Sequence, residues 1–128
     1  MISSIRRWRF PATPQHVAHA RHEAAAYARA VGADEATLAL AVSEAFTNAV
    51  VAQAGGSELG EIEVVAVRFP GEIEIRVRGD AGGVEPSHES ASARRLGLHL
   101  IEHLTTRFHI RRHPTGGVEL LMAFRHGG

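Results

Sequence analysis

Apolar residues recur at helical spacing in the first half of the chain and predict two helices there. The first begins at Thr13-Pro14, where a hydroxyl can cap a helix and proline fits the first turn, and it ends before Gly32. The second follows Asp34, a capping residue, and runs to about Gln53. Its apolar stripe consists of Leu38, Val42, Ala45 and Ala49.

The second half of the chain alternates apolar and polar residues, which is the pattern of half-buried antiparallel strands. One strand over residues 62–67 and another over residues 72–78 flank a turn at Pro70-Gly71. Ile73, Ile75 and Val77 point to one side of the second strand, and the charged residues between them point to the other. Residues 79–95 then predict a long loop, which in compact domains is often a functional lid.

A third helix from Leu96 to about Thr106 and a strand pair, Phe108–Arg112 and Val118–Phe124, complete the prediction. With a short strand at Trp8–Phe10, the order becomes β-α-α-β-β-loop-α-β-β. This order predicts an α+β fold, a two-layer sandwich whose mixed, mostly antiparallel sheet carries the helices on one face. Neither a repeat nor a domain boundary is visible, so residues 1–128 are predicted to form a single domain.

Composition narrows the function classes. The chain has 128 residues, zero formal net charge and no cysteine. Zero net charge does not favour nucleic acid or a membrane surface as the main partner. The lack of cysteine excludes disulfides and thiolate metal sites. No segment reaches the roughly 20 apolar residues that span a bilayer, and no signal peptide is visible. A cytoplasmic protein is therefore expected.

Nine histidines raise the question of a metal site. Three of them, His16, His19 and His22, recur at every third residue of the first predicted helix. Residues so spaced fan over about a third of the helix circumference, which is too wide for one tight site. We therefore expect a solvated helix face rather than a metal centre.

Glu44 and Asn48 are four residues apart on the second predicted helix, so their side chains are neighbours on one face. The pair is open to two interpretations. It is either a polar helix edge or a carboxylate and an amide directed into a cleft. In a cleft, Glu44 would act as a general base and the amide oxygen of Asn48 would bind Mg²⁺, which prefers hard oxygen ligands.

Two further segments carry possible chemistry. Asp80-Ala81-Gly82-Gly83 directly follows a predicted strand. It is either a plain turn or an aspartate that accepts a hydrogen bond from an exocyclic amine such as that of adenine, beside glycines that let the backbone approach the ring. Gly97 stands where the long loop enters the third helix. It is either an ordinary first-turn glycine or part of a phosphate site at the helix N-terminus.

The order and spacing of these segments resemble the GHKL ATPases, and within them the small bacterial anti-sigma-factor serine kinases. The resemblance rests on LALAVSEAFTNAV at residues 38–50, EIEIRVRGDAGG at 72–83 and RLGLHLIEHLTTRF at 95–108. The opening FPATPQHVAHAR at residues 10–21 is also similar. The similarity therefore covers nearly the whole chain.

The resemblance implies ATP and Mg²⁺ as cofactors and assigns residues to them. Glu44 corresponds to the catalytic base and Asn48 to the Mg²⁺ ligand. Asp80 corresponds to the adenine-binding aspartate, Gly82 to the glycine beside the adenine, and Gly97 to a phosphate-loop glycine.

The chain departs from the family pattern at several positions. Val84 and Arg95 stand where the family usually has glycine. Ala52 replaces a common histidine, and Gly117 stands where the family tends to have threonine. In place of the missing glycine, we expect the guanidinium of Arg95 to contact phosphate.

The resemblance implies an ATP-dependent serine/threonine protein kinase that acts as an anti-sigma factor. Its substrate would be a STAS-type anti-anti-sigma protein, and it would also sequester a sigma factor as a homodimer. The strand at Trp8–Phe10 would be an exposed edge in a monomer, and such edges are usually paired or covered.

Two alternatives to the kinase stay open. One is a switch protein that binds a partner, with or without nucleotide, and catalyses no reaction; the lost glycines favour it. The other is an interaction platform in a larger stress-signalling complex. The intact pair of Glu44 and Asn48 favours the kinase.

Overall fold

A computed structural model describes residues 4–53, 60–79, 97–112 and 117–126. The predicted order of elements is confirmed throughout this part of the chain. The two long helices and five strands are α1 (Gln15–Val31) and α2 (Glu35–Gln53), with β1 (Ser4–Pro11), β2 (Glu61–Phe69), β3 (Glu72–Gly79), β4 (Arg107–Arg112) and β5 (Val118–Arg125). Residues 97–104 are helical and are called α3.

The five strands form one sheet in the order β1-β2-β3-β5-β4, and all four pairings are antiparallel. The predicted α+β fold class is therefore confirmed. β1 is longer than the predicted strand at Trp8–Phe10 because it pairs with β2 from Ser4 to Pro11. Apolar alternation missed the first half of β1 because its four residues are all exposed and three of them, Ser4, Arg6 and Arg7, are polar.

One face of the sheet packs against the helices and forms the core. Alternate strand residues such as Ile62, Ile75 and Met122 are buried there against Phe46 of α2 and Ile101 of α3. Burying these side chains stabilises the fold by about 1.5–3 kcal/mol each. The helices are thus held on one face of the sheet by the same alternation that predicts the strands.

The ends of the helices follow local signals. Gly32 terminates α1 in the left-handed conformation, with φ of 80°. Asp34 caps α2, since its Oδ1 accepts a 2.9 Å hydrogen bond from the Thr37 amide. The expected capping by Thr13 is wrong. No side chain caps α1, and the Thr13 hydroxyl lies instead 2.7 Å from Nδ1 of His16.

The turn between β2 and β3 forms as predicted at Pro70-Gly71. Gly71 has φ of 75°, which a side chain strains and which glycine adopts freely. Among the described residues, no helix is both long enough and apolar enough to cross a membrane.

Candidate functional site

The candidate site begins on the second half of α2. Asn48 is buried, and its Nδ2 donates a 3.0 Å hydrogen bond to the backbone carbonyl of Glu44, one turn earlier. A carbonyl can only accept, so this bond orients the amide and makes Oδ1 the atom of Asn48 that could bind a cation. Glu44 is half-buried on the same face. The predicted neighbours are therefore adjacent, and one of them is fixed by the helix itself.

Gly97 of α3 lies directly against this pair. A Cβ added to Gly97 would be 2.9 Å from Oε2 of Glu44 and 2.9 Å from Nδ2 of Asn48. Side-chain carbons essentially never approach other atoms so closely, so the two side chains occupy the space that any larger residue needs. The structure thus brings three of the predicted site residues together, although Asn48 and Gly97 are 49 positions apart in the sequence.

The sheet end nearest to this site can be traced through the aromatic packing. The ring of Phe46, between Glu44 and Asn48 on α2, is 5.6 Å from the ring of Phe10. Phe10 pairs with Ile62 on β2, and Ile62 pairs with Gly79 on β3. The C-terminal end of β3 therefore lies in the same row of paired residues as Phe10, and this part of α2 packs against that row.

Several predicted residues lie outside the described part of the chain. They are Asp80, Gly82 and Arg95, together with Val84. Their proposed contacts with adenine and phosphate stay predictions. Gly117, which stands where threonine was expected, is described and has φ of 91°. That backbone conformation favours glycine over any β-branched residue.

The donor set suits a hard cation and a proton-accepting role. An amide oxygen and a carboxylate are the oxygen ligands that Mg²⁺ takes, and Mg²⁺ keeps several waters besides its protein ligands. The missing side chain at Gly97 leaves the backbone of α3 close to both groups. Asn48 would hold the metal ion and Glu44 could accept a proton beside it. Asn48 and Glu44 are therefore chemically suited to the Mg²⁺ ion that the sequence predicts.

Two of the three histidines of α1 contact neighbouring side chains, and His22 is exposed. The His19 ring contacts the edge of Phe10 at 4.9 Å between centroids, and His16 contacts the Thr13 hydroxyl. In the described ranges, no group of three or more His, Cys, Asp or Glu side chains could hold a metal ion.

Sequence reasoning missed the tight contact at Gly97. It assigned Gly97 to phosphate binding, which stays a prediction, but it did not predict how closely the side chains of Glu44 and Asn48 approach Gly97. The available signal was a glycine between two leucines early in a helix, where alanine has the higher helix propensity by about 1 kcal/mol. A glycine at such a place indicates that another group packs closely against the helix backbone.

Comparison with known proteins agrees with this architecture. A search of curated proteins finds no match. A family model described as the histidine kinase-like ATPase domain matches residues 10–124. This range includes α2, α3 and every strand of the sheet in whole or part. Domains of this family bind ATP, so the contact of Glu44, Asn48 and Gly97 falls within a nucleotide-binding fold. The chain belongs to the family of histidine kinase-like ATPase domains.

Proposed function

We propose that the protein is an ATP-dependent serine/threonine kinase and anti-sigma factor whose substrate is a STAS-type anti-anti-sigma protein. The observation that supports the proposal is the contact of Glu44, Asn48 and Gly97. A general base, a metal ligand and a close backbone approach are three requirements of phosphoryl transfer, which depends mainly on positioning and charge stabilisation.

Each residue has a defined part in the proposed reaction. ATP, when bound, would supply the phosphoryl group, and Mg²⁺ would neutralise charge on the phosphates. The Glu44 carboxylate accepts the proton of the substrate hydroxyl as the hydroxyl oxygen bonds to the γ-phosphorus and the bond to the departing ADP oxygen breaks. Asn48 holds the metal ion through Oδ1. Gly97 keeps α3 close without displacing either side chain.

The substitution Glu44→Gln tests the base. It keeps size and shape but cannot accept the proton, so phosphotransfer should fall by about 10²–10⁴ while ATP affinity stays near that of the wild type. Glu35→Gln is a matched control, because Glu35 lies on the same helix but is exposed and paired with Arg29. Equal phosphotransfer by the Glu44 variant and the wild type would refute the assignment.

The metal role is tested by two substitutions at one position. Asn48→Ala removes the oxygen ligand and should abolish the Mg²⁺ dependence of ATP binding in calorimetry. Asn48→Asp keeps a hard oxygen and should retain that dependence. Because Asn48 is buried, circular dichroism of both variants separates loss of the site from loss of the fold. Mg²⁺-dependent binding by the alanine variant would contradict the proposal.

The proposal extends to partners. We propose a cytoplasmic homodimer that also binds a sigma factor. Its support is β1, an edge strand of the described sheet with Ile5 exposed. Light scattering at micromolar concentration measures the assembly, and a monomer would exclude the dimer without affecting the kinase assignment. Co-purification with a STAS protein or a sigma factor tests the partners directly.

A switch protein that binds a partner without chemistry is the second candidate. It is favoured by Val84 and Arg95, which replace glycines at positions where the family usually needs a flexible backbone. Titration with ATP and Mg²⁺, followed by a phosphotransfer assay, separates the two. Binding without phosphotransfer supports the switch protein, and phosphotransfer excludes it.

A further inference from the structure

The face of the sheet opposite to the helices, here called the open face, is rich in arginine. By the strand register it carries two arginines on β1, two on β3, two on β4 and one on β5. It also carries two glutamates on β2, two on β3 and one on β5. A chain with zero formal net charge thus concentrates half of its 14 basic residues on one flat surface.

One row of the open face crosses all five strands with alternating charge. The row consists of Arg9, Glu63, Arg78, Glu119 and Arg111. Ion pairs join its ends, at 3.4 Å between Arg9 and Glu63 and 3.9 Å between Arg111 and Glu119. The central Arg78 makes no ion pair within the described residues, and its Nε is buried without a hydrogen-bond partner.

Some glutamates of the open face are much less exposed to solvent than the arginines around them. The side chains of Glu74 and Glu119 are only 8% and 11% exposed, whereas those of Arg111 and Arg9 are 63% and 70% exposed. Arg107 reaches over the buried Ala123 to contact Glu72 at 2.8 Å and Glu74 at 3.5 Å. Glu74 and Glu119 therefore lie below the more exposed guanidiniums of Arg107 and Arg111, which they contact.

A guanidinium has five N–H donors, and one carboxylate cannot use all of them. Arg9 and Arg111 are largely exposed, so their remaining donors are available to further carboxylates in the paired geometry that arginine favours. Around Arg78 the surface is concave, with a cleft of about 220 Å³ lined by Arg9, Glu61, Glu63 and Arg78. This cleft has room for a side chain of a partner. Arg78, which makes no ion pair within the described residues, lies in it between Glu63 and Glu119 of the neighbouring strands.

We propose that the open face is a docking surface for the acidic face of a partner protein, whose carboxylates bind Arg9, Arg78 and Arg111. Five strands spaced about 4.8 Å apart and about eight residues long cover roughly 20 by 27 Å. A partner over this area buries on the order of 1,000 Å² in total, the lower limit for specific complexes. Seven arginines against five glutamates give this face a net charge of only +2, which is less basic than the patches that bind nucleic acid. The proposal rests on the open face alone and does not depend on the kinase assignment.

Two matched double variants test the proposal. Arg9→Gln with Arg111→Gln removes outward guanidiniums from the open face. Arg6→Gln with Arg112→Gln removes exposed arginines from the same two strands, but on the helix side of the sheet. Fluorescence anisotropy with poly-L-glutamate of about 50 residues at ~50 mM salt measures binding to each protein, since charge pairing is strongest at low salt.

The wild type should bind poly-L-glutamate. The open-face variant should lose affinity at least tenfold, or about 1.4 kcal/mol, and the helix-side variant should change less than about threefold, or roughly 0.7 kcal/mol. ATP binding should persist in both, which separates this proposal from the proposed function. No binding by the wild type, or equal loss in both variants, overturns the proposal. Tighter binding of a DNA duplex than of poly-L-glutamate, or dissociation of a dimer by the open-face substitutions alone, would assign the surface to nucleic acid or to a second copy and also overturn it.

Discussion

At the scale of single residues, helix propensity and packing have opposite effects at Gly97. It is buried, and two polar side chains stand where its Cβ would be. Helix propensity alone favours alanine over glycine by about 1 kcal/mol. The steric cost of the contact opposes this preference, because overpacking usually costs about 1–3 kcal/mol. Whether Gly97→Ala raises or lowers the free energy of unfolding therefore shows which effect is larger.

We expect Gly97→Ala to weaken Mg²⁺-dependent ATP binding at least tenfold, or about 1.4 kcal/mol, because the new methyl group displaces Glu44 or Asn48. Stability should stay the same or fall, contrary to helix propensity. Calorimetry and urea denaturation measure the two effects. His99→Ala, at an exposed position two residues along α3, should leave both unchanged. A more stable Gly97→Ala protein with normal ATP affinity would show that the contact is loose.

At the scale of elements, Asp34 controls the start of α2 in a pH-dependent way. The hydrogen bond from the Thr37 amide holds the pKa of its carboxyl below the usual range. A folded-state pKa lower than the unfolded one means that the stabilisation is present above the unfolded pKa, about 3.9. It is lost as the pH falls through the folded pKa.

Asparagine caps helices as well as aspartate does but does not titrate. We therefore expect Asp34→Asn to lose less thermal stability than the wild type when the pH is lowered from about 5 to about 2.5, a range that spans the aspartate titration. The charge of Asp34 also acts on the neighbouring Glu35 carboxyl, so the difference between the two proteins reports Asp34 together with this effect. Melting curves at the two pH values provide the measurement, and identical losses would show that the cap is insensitive to charge.

In the strands, the contribution of an ion pair to stability depends on how deeply it is buried. The carboxylate of Glu74 is almost completely buried and accepts a 2.7 Å hydrogen bond from Nε of Arg76. Glu72, two residues earlier on the same face, is more exposed and pairs with Arg107. Glu74→Ala should cost about 1–3 kcal/mol, because it removes a buried carboxylate together with its charge-assisted hydrogen bond from Arg76. Glu72→Ala should cost less than about 1 kcal/mol.

The free energy of unfolding in urea measures both substitutions. Each removes one carboxylate from the same strand and the same face, so helix and turn contributions cancel. Equal losses would mean that solvent screens Glu74 as effectively as Glu72.

At the scale of the whole molecule, the sheet separates two tasks. One face builds the core with the helices and supports the candidate site, and the other carries the arginines.

Because an ATPase domain of this family binds ATP in its folded state, ligand should stabilise the protein globally. At a concentration of 100 times Kd, the gain is about 2.7 kcal/mol.

For a domain of this size, that gain corresponds to a rise in Tm of roughly 10 °C. We expect it with ATP and Mg²⁺, and much less with ATP and a chelator, since Asn48 then lacks its metal ion. Asn48→Ala should respond weakly to either condition. Differential scanning calorimetry provides the measurement. An unchanged Tm for the wild type at millimolar ATP would contradict nucleotide binding by this chain.

The sequence by itself determined the kinds and order of the elements. Period-two alternation fixes which face of β3 is buried, and Gly32, Asp34 and Gly71 fix where helices and turns begin or end. These signals are local, because each depends on a few neighbouring residues and on the conformations that they allow. For the same reason, the proximity of Glu44 and Asn48 was predictable from one turn of helix.

Only the tertiary structure decided what lies next to Gly97, because the packing of α3 on α2 depends on the whole core. The row from Arg9 to Arg111 likewise exists only through strand register, since no local pattern relates the two ends of the sheet. Thr13 failed as a cap because a nearby histidine ring competes for its hydroxyl. Local chemistry therefore selects the elements, whereas contacts between distant elements create the candidate site and the arginine surface.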